Sequence, residues 1–123
     1  MKIETRVFDT LKKKIPPEAT KTILYAGVGD TSYEMFFYSL FPENGYKQCF
    51  TLAEEGLLNE NELDAAFSSI AEMIKGDRRY QPGKLNVFTY VIGETSIEMT
   101  TEYHDEKERI YKIKKDWESR FLS

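Results

Sequence analysis

Residues 84–103, KLNVFTYVIGETSIEMTTEY, decide the fold because they read as two β-strands joined at Gly93-Glu94. A two-residue loop that begins with Gly favours a type II′ turn, whose twist matches that of the flanking strands. This turn sets the register of the predicted hairpin. The pairs that it predicts are Ile92 with Thr95, Tyr90 with Ile97, Phe88 with Met99 and Lys84 with Tyr103.

The two faces of the predicted hairpin differ in chemistry. Residues paired across a ladder share a face, and the apolar face comprises Phe88, Tyr90, Ile92, Ile97 and Met99. The opposite face is apolar on the first strand but polar on the second, where Glu98 and Glu102 lie. A strand that is covered on both sides is apolar on both sides. We therefore expect an inner first strand beside an outer second strand that carries a row of carboxylates.

Three helices are predicted around the sheet from apolar residues that recur every three or four positions. Their ends are set by prolines, by capping-box patterns and by a glycine that can take the left-handed conformation. The predicted helices are 3–15, ended by Pro16-Pro17; 59–75, capped by Asn59 with Glu62 and closed by Gly76; and 105–121, capped by Asp105 with Glu108.

Three further strands are predicted before the central hairpin, over residues 22–28, 31–41 and 46–52. A two-residue turn at Gly29-Asp30 pairs the first two and places Leu24 opposite Met35. Cys49 lies inside the third strand, where we expect its thiol to be buried.

The predicted element order is α-β-β-β-α-β-β-α in a single domain, residues 1–123. Short hairpins make the sheet of about five strands largely antiparallel, and three helices segregated against it give an α+β fold. We find no internal repeat, low-complexity tract or linker.

Charge is unevenly distributed along the chain, whose net charge is −4. Residues 51–106 hold 12 acidic and 4 basic side chains, whereas the last 17 residues are basic overall. An acidic middle repels phosphate and argues against nucleic acid as the main ligand. It favours a basic protein partner, although an ordinary solvated surface also accounts for it.

The sequence also predicts where the protein works. No apolar run approaches the ~20 residues that cross a bilayer, and charges interrupt the N-terminal segment, so that it is not a secretory signal. Cys49 is the only cysteine, which fits a reducing compartment. We expect a cytoplasmic protein.

Candidate catalytic residues are few. His104 is the only histidine, and no sequence spacing pairs it with Cys49 as base and nucleophile or marks a metal site. Glu98 and Glu102 share one strand face but lie roughly 13 Å apart, which is too far for a glycosidase pair. The sequence therefore predicts no catalytic constellation, no metal and no cofactor.

A sheet face of mixed chemistry remains, with polar Glu34, Glu98 and Glu102 beside large side chains such as Tyr25 and Tyr38. Two interpretations stay open. A helix covers this face and the carboxylates lie at its margin, or part of the face is open and another protein docks there.

Several segments together resemble the YezG-like immunity proteins, the antitoxins of bacterial polymorphic toxin and contact-dependent growth inhibition systems. These segments are LYAGVGDTSYEMFFYS (24–39), an acidic helix, LNVFTYVIGETSIEMTTEYHDEKERI (85–110) and a basic C-terminus that contains Trp117. The resemblance implies a cytoplasmic toxin inhibitor that acts by protein–protein interaction and is not an enzyme.

The leading hypothesis is that an acidic surface binds and neutralises a cognate toxin, a basic nuclease, without contact to nucleic acid or membrane. The predicted partner-binding residues are Glu34, Glu94, Glu98, Glu102 and Asp105, with Tyr33 and Tyr38 as aromatic contacts. The alternatives are a small-ligand-binding or enzymatic α+β domain, with a pocket between sheet and helices, and a structural adaptor.

Overall fold

The structure is a computed structural model that describes residues 2–105 and 109–122. It confirms the α+β class, with one five-stranded antiparallel sheet and helices packed on it. The elements are α1 (Ile3–Leu11), β1 (Lys21–Val28), β2 (Tyr33–Phe41), β3 (Gly45–Gln48), α2 (Cys49–Glu54), α3 (Glu60–Lys75), β4 (Lys84–Ile92), β5 (Ile97–Asp105) and α4 (Ile110–Phe121). A short 3-10 turn, Lys12–Lys14, follows α1.

The strand order across the sheet is β3-β2-β1-β4-β5, and every neighbouring pair is antiparallel. The predicted inner and outer strands are therefore confirmed, because β4 lies between β1 and β5 while β5 is at the edge. The two strands also differ in solvent exposure: five consecutive residues of β4 are buried, whereas no residue of β5 is fully buried. The edge of the sheet is thus formed by the strand that carries the carboxylates.

Both hairpin registers predicted from the sequence were wrong by two residues. Ile92 pairs with Ile97 instead of Thr95, and Leu24 pairs with Phe37 instead of Met35. The reason is loop length: each hairpin closes through four residues, and the Gly93 N–H donates to the Ser96 carbonyl oxygen at 2.9 Å. Because a shift of two residues keeps every side chain on its face, the predicted faces hold.

The two loops reveal a repeat that the sequence analysis missed. Residues 29–32 are Gly-Asp-Thr-Ser and residues 93–96 are Gly-Glu-Thr-Ser, and each loop is followed by one residue and then Glu-Met. In both loops the Gly N–H donates to the Ser carbonyl oxygen at 2.9 Å. Each half of the chain runs helix, strand, loop, strand, and the equivalent strands β1 and β4 lie side by side at the centre.

Helices cover the two faces of the sheet unequally. On one face, α1 and α3 pack together, and the α3 residue Phe67 meets Phe37 edge to face at 6.4 Å between ring centroids. On the other face lies α4, whose fully buried Trp117 sits on Tyr25 and Phe36. The mixed face is therefore covered by α4, as the first of the two interpretations states. None of the described helices is both long and apolar enough to cross a bilayer.

The third strand is shorter than predicted. It ends at Gln48, and Cys49 begins α2 instead of lying in a strand. Its thiol is fully buried, as expected, and its Sγ accepts a hydrogen bond from the Phe37 N–H at 3.5 Å. That bond takes a backbone donor of β2 that a longer β3 would have paired, so the ladder ends there.

The predicted helix ends hold in part. Asn59 caps α3, since its side chain accepts from the Glu62 N–H at 3.0 Å. Gly76 has φ −84° and is not left-handed. Asp105 ends β5 and does not cap α4, which begins at Ile110, while Glu108 lies outside the described residues.

Asn86 fixes the loop that leads into β4. Its buried side chain accepts from the Gln81 N–H at 2.7 Å and donates to the carbonyl oxygens of Gln81 and Lys84 at 2.9 and 3.0 Å. Asn86→Ala leaves these groups without partners, and we expect it to lower the free energy of unfolding by about 2–3 kcal/mol. Urea denaturation measures this. Asn44→Ala in the exposed β2–β3 turn is the control, expected within about 0.5 kcal/mol of the parent, and an equal effect of both changes would contradict the assignment.

Candidate functional site

The outer edge of β5 presents backbone groups that no other strand in the described part of the chain pairs with. The Gly93–Ser96 bond marks a hydrogen-bonded pair, and such pairs alternate with non-bonded ones along an antiparallel ladder. The N–H and C=O groups that point away from β4 are therefore those of Ile97, Met99, Thr101 and Tyr103. No backbone hydrogen bond within residues 2–105 and 109–122 engages them.

Side chains alternate along this edge between the two faces of the sheet. Ile97 and Met99 point to the α1 side and pack against the core. Glu98 and Glu102 point to the α4 side, with Thr100 between them. We call the line formed by Glu94, Glu98, Glu102 and Asp105 the acidic edge.

The carboxylates along the acidic edge differ in whether a nearby cation neutralises them. Glu94, in the β4–β5 loop, and Glu98 are exposed, and neither has an ion-pair partner in the part of the chain that the structure describes. Asp105 is exposed at the far end of β5. Within the acidic edge, the two exposed carboxylates without a described ion-pair partner, Glu94 and Glu98, are therefore together where β5 begins.

Glu102 is held by the protein itself. Its carboxylate accepts two hydrogen bonds from Arg120 Nη2 on α4, at 2.9 and 3.0 Å, and lies 2.8 Å from His104 Nε2. A charge-assisted pair of this kind fixes the carboxylate in place. Glu102 thus anchors α4 and offers less charge to a partner than its neighbours do.

The predicted contacts on β2 lie apart from β5. Glu34 and Glu102 stand in one row across the sheet, separated by Gly27 and Val87. Three strand spacings put them roughly 14 Å apart. Glu34 accepts from Lys114 Nζ of α4 at 3.0 Å.

The two predicted aromatic contacts have different surroundings. Tyr33 is 44% exposed at the start of β2. Tyr38 is half-buried, packs on Trp117 at 6.3 Å between ring centroids and accepts from Gln48 Nε2 at 3.4 Å. Tyr38 therefore belongs to the packing under α4, and Tyr33 is the exposed aromatic of the set.

The structure thus divides the seven predicted residues into groups. Glu94 and Glu98 lie together at one end of β5, and Tyr38 stands in the same cross-sheet row as Glu98, three strands away. Four residues lie towards the other end of the sheet: Tyr33, Glu34, Glu102 and Asp105. The sequence analysis missed the cations of α4 that hold Glu34 and Glu102. The available signal was the basic C-terminus, whose lysines and arginines were not matched to carboxylates of the sheet.

Tyr25 lies under α4 between these two carboxylates. Burial raises the pKa of its hydroxyl, and the charges of Glu34 and Glu102 raise it further. The phenol therefore stays protonated at neutral pH and acts as a neutral packing group.

Side chains that could carry nucleophilic chemistry are not brought together. Cys49 follows β3 at one edge of the sheet and His104 lies on β5 at the other, so that the four strand spacings alone separate them by about 19 Å. Burial raises the pKa of the Cys49 thiol to about 11. Within the described residues, no group of three or more metal-ligating side chains is found.

The raised pKa of Cys49 gives a testable prediction. At neutral pH the thiol stays protonated and buried, so we expect Ellman's reagent to react with it only in denaturant. The absorbance of the coloured thiolate that the reagent releases measures the extent and rate of the reaction. Rapid stoichiometric labelling of the folded protein would contradict the buried placement.

An apolar hollow of about 230 Å³ adjoins the acidic edge. It is lined by Phe8 of α1, Ile97 of β5 and the loop residues 93–96. An apolar recess rimmed by charge is the arrangement that protein interfaces use for an anchoring side chain. Glu94 is at its rim, next to the exposed Glu98.

Comparison with known proteins gives no match for the chain, either to a protein-family model or to a curated protein sequence.

Proposed function

We propose that this chain is an immunity protein that binds and neutralises a cognate bacterial toxin through its acidic edge. The observation that carries the proposal is the combination at the start of β5: two exposed carboxylates without an ion-pair partner in the described residues, beside an apolar hollow, on a strand at the edge of the sheet. The resemblance of residues 24–39 and 85–110 to YezG-like immunity proteins supports it.

The chemistry of the acidic edge favours a nuclease as the toxin. A nuclease active site is basic because it holds phosphate, so a negatively charged protein can occupy it or block its approach. Complementary charge speeds association, which an inhibitor needs when it must act before its own cell's nucleic acid is cut. The proposal places both proteins in the bacterial cytoplasm.

The proposal relies on some of the acidic residues more than on others. Glu94 and Glu98 are its principal contacts, because Glu34 and Glu102 are already bound by Lys114 and Arg120. Tyr33 and Asp105 remain candidate contacts at the other end of the sheet, and Tyr38 is assigned to packing.

The alternative of a pocket between sheet and helices is not favoured on the side of the sheet that α1 and α3 cover. The space between the sheet and the α1–α3 layer is filled by side chains that are fully buried, among them Phe37, Phe88 and Tyr90. The hollow beside Phe8 opens instead at the margin of the sheet.

Co-expression tests the proposal. The proposal expects a neighbouring reading frame to encode the toxin domain, and that domain is expressed with and without this chain in the same bacterial host. We expect growth arrest with the toxin alone, rescue with this chain, and co-purification of the two as a stoichiometric complex. Arrest that persists at a matched level of this chain would overturn the proposal.

A further inference from the structure

The nine-residue strand β5 lies at the edge of the sheet, and within residues 2–105 and 109–122 only β4 pairs with it. Its outward N–H and C=O groups belong to Ile97, Met99, Thr101 and Tyr103, and no described residue bonds to them through the backbone. A row of such groups is a template for another extended chain. α1 packs beside β5 on one face, and no other strand of the described residues pairs with its outer side.

The chemistry of the edge specifies what that chain must look like. A strand laid antiparallel on β5 places alternate side chains on the two faces of the sheet. On the α4 side its residues stand opposite Glu98 and Glu102, and on the α1 side they stand beside Ile97 and Met99. The matching pattern is therefore an apolar residue at every second position, beside Ile97 and Met99, with a cation between them opposite Glu98.

We propose that the outer edge of β5 binds its partner by strand addition, accepting an extended segment of alternating cationic and apolar side chains as a sixth strand. Backbone hydrogen bonds hold such a segment, while its side chains set the specificity. One apolar side chain enters the hollow formed by Phe8 and Ile97. This inference rests on the proposed function only for the statement that the segment belongs to a toxin.

A second copy of the chain fits this edge poorly. Pairing of two β5 strands would bring together two sets of Glu94, Glu98, Glu102 and Asp105, and like charges near each other across a ladder are destabilising. Carboxylates on an edge strand are a device that keeps copies of a protein apart. The same carboxylates attract a basic strand, so the edge selects between the two occupants.

A synthetic peptide provides the probe. It alternates Lys and Val over about seven residues, a typical strand length, and a second peptide of the same composition has its lysines and valines in two blocks. NMR titration of the intact chain follows backbone amides. We expect slowed hydrogen exchange at Ile97, Met99, Thr101 and Tyr103 with the alternating peptide, and binding of the block peptide at least about tenfold weaker.

Thr101→Pro isolates the backbone contribution. Its N–H points away from β4, so proline removes a donor from the edge and leaves the β4–β5 ladder intact. We expect the alternating peptide to bind at least about tenfold more weakly to this variant, and Thr101→Ala to stay within about twofold of the parent. Amide exchange in the parent protein gives the answer even if the proline variant does not fold.

The outcomes separate this inference from the proposed function. Equal binding of both peptides, exchange protection elsewhere on the chain, or dimers of the chain that form through β5 would each overturn strand addition. None of these results bears on toxin capture, which the co-expression experiment tests with the toxin itself.

Discussion

Trp117→Ala is expected to remove about 3–5 kcal/mol from the free energy of unfolding. Trp117 is fully buried and meets Tyr25 at 5.3 Å and Phe36 at 5.7 Å between ring centroids. Its indole N–H donates to the Thr89 hydroxyl at 2.9 Å, at the centre of the sheet. The truncation therefore opens a cavity under α4 and leaves a buried hydroxyl without its partner.

Urea denaturation followed by far-UV circular dichroism measures this loss, since the variant has no tryptophan to report by fluorescence. Tyr111→Ala is the matched control, because Tyr111 lies in the same helix but is 73% exposed. We expect that variant to stay within about 0.5 kcal/mol of the parent. A Trp117→Ala variant as stable as the Tyr111→Ala variant would show that α4 does not hold the sheet as described.

Reversing the charge of Glu94 and Glu98 together is expected to weaken toxin binding more than about tenfold, or ~1.4 kcal/mol. Both carboxylates are exposed at the start of β5 and have no ion-pair partner in the described residues. Lysines at these two positions repel a basic partner at the contact on which the proposal depends. Much of the loss should appear as a slower association rate. Raising the salt concentration should reduce the difference in affinity between parent and variant, because salt screens the charges.

The control for this double variant changes the net charge equally at a distance from the acidic edge. Glu43→Lys with Glu72→Lys does so, because Glu43 lies in the β2–β3 turn and Glu72 is exposed on α3. Glu102 is left unchanged, since Glu102→Lys would break its bonds to Arg120 and confuse folding with binding. Calorimetry compares the two variants, and equal affinities would remove Glu94 and Glu98 from the interface.

The faces of the sheet were predictable from the sequence because alternation along a strand is local. Phe88, Tyr90 and Ile97 share the core-facing side whether a loop has two residues or four. The register was not predictable, because a Gly-acid pair favours a two-residue turn and nothing local shows that Thr and Ser extend it. The short helix α2 was missed for a related reason, since residues 49–54 are too few to show a helical period.

The sequence was enough to predict which acidic residues form the candidate site, but not their ion pairs or their positions relative to α4. The row of carboxylates on an outer strand followed from comparing the two strands of the central hairpin. The pairing of Glu34 with Lys114 joins residues far apart in sequence and depends on where α4 docks. Sequence periodicity gives the apolar stripe of α4 but not the position of its cations over the sheet.

The most direct test of the acidic edge as an inhibitory surface is an activity titration of the purified toxin domain with this protein. Nuclease activity is measured at toxin concentrations well above the dissociation constant. We predict that activity falls linearly to zero at one equivalent of the parent protein. In a second titration, with toxin far below the dissociation constant, we predict that the Glu94→Lys, Glu98→Lys variant needs at least about tenfold more protein than the parent for half inhibition. Undiminished activity at a molar excess of the parent, or equal half-inhibition concentrations of parent and variant in the second titration, would contradict the account.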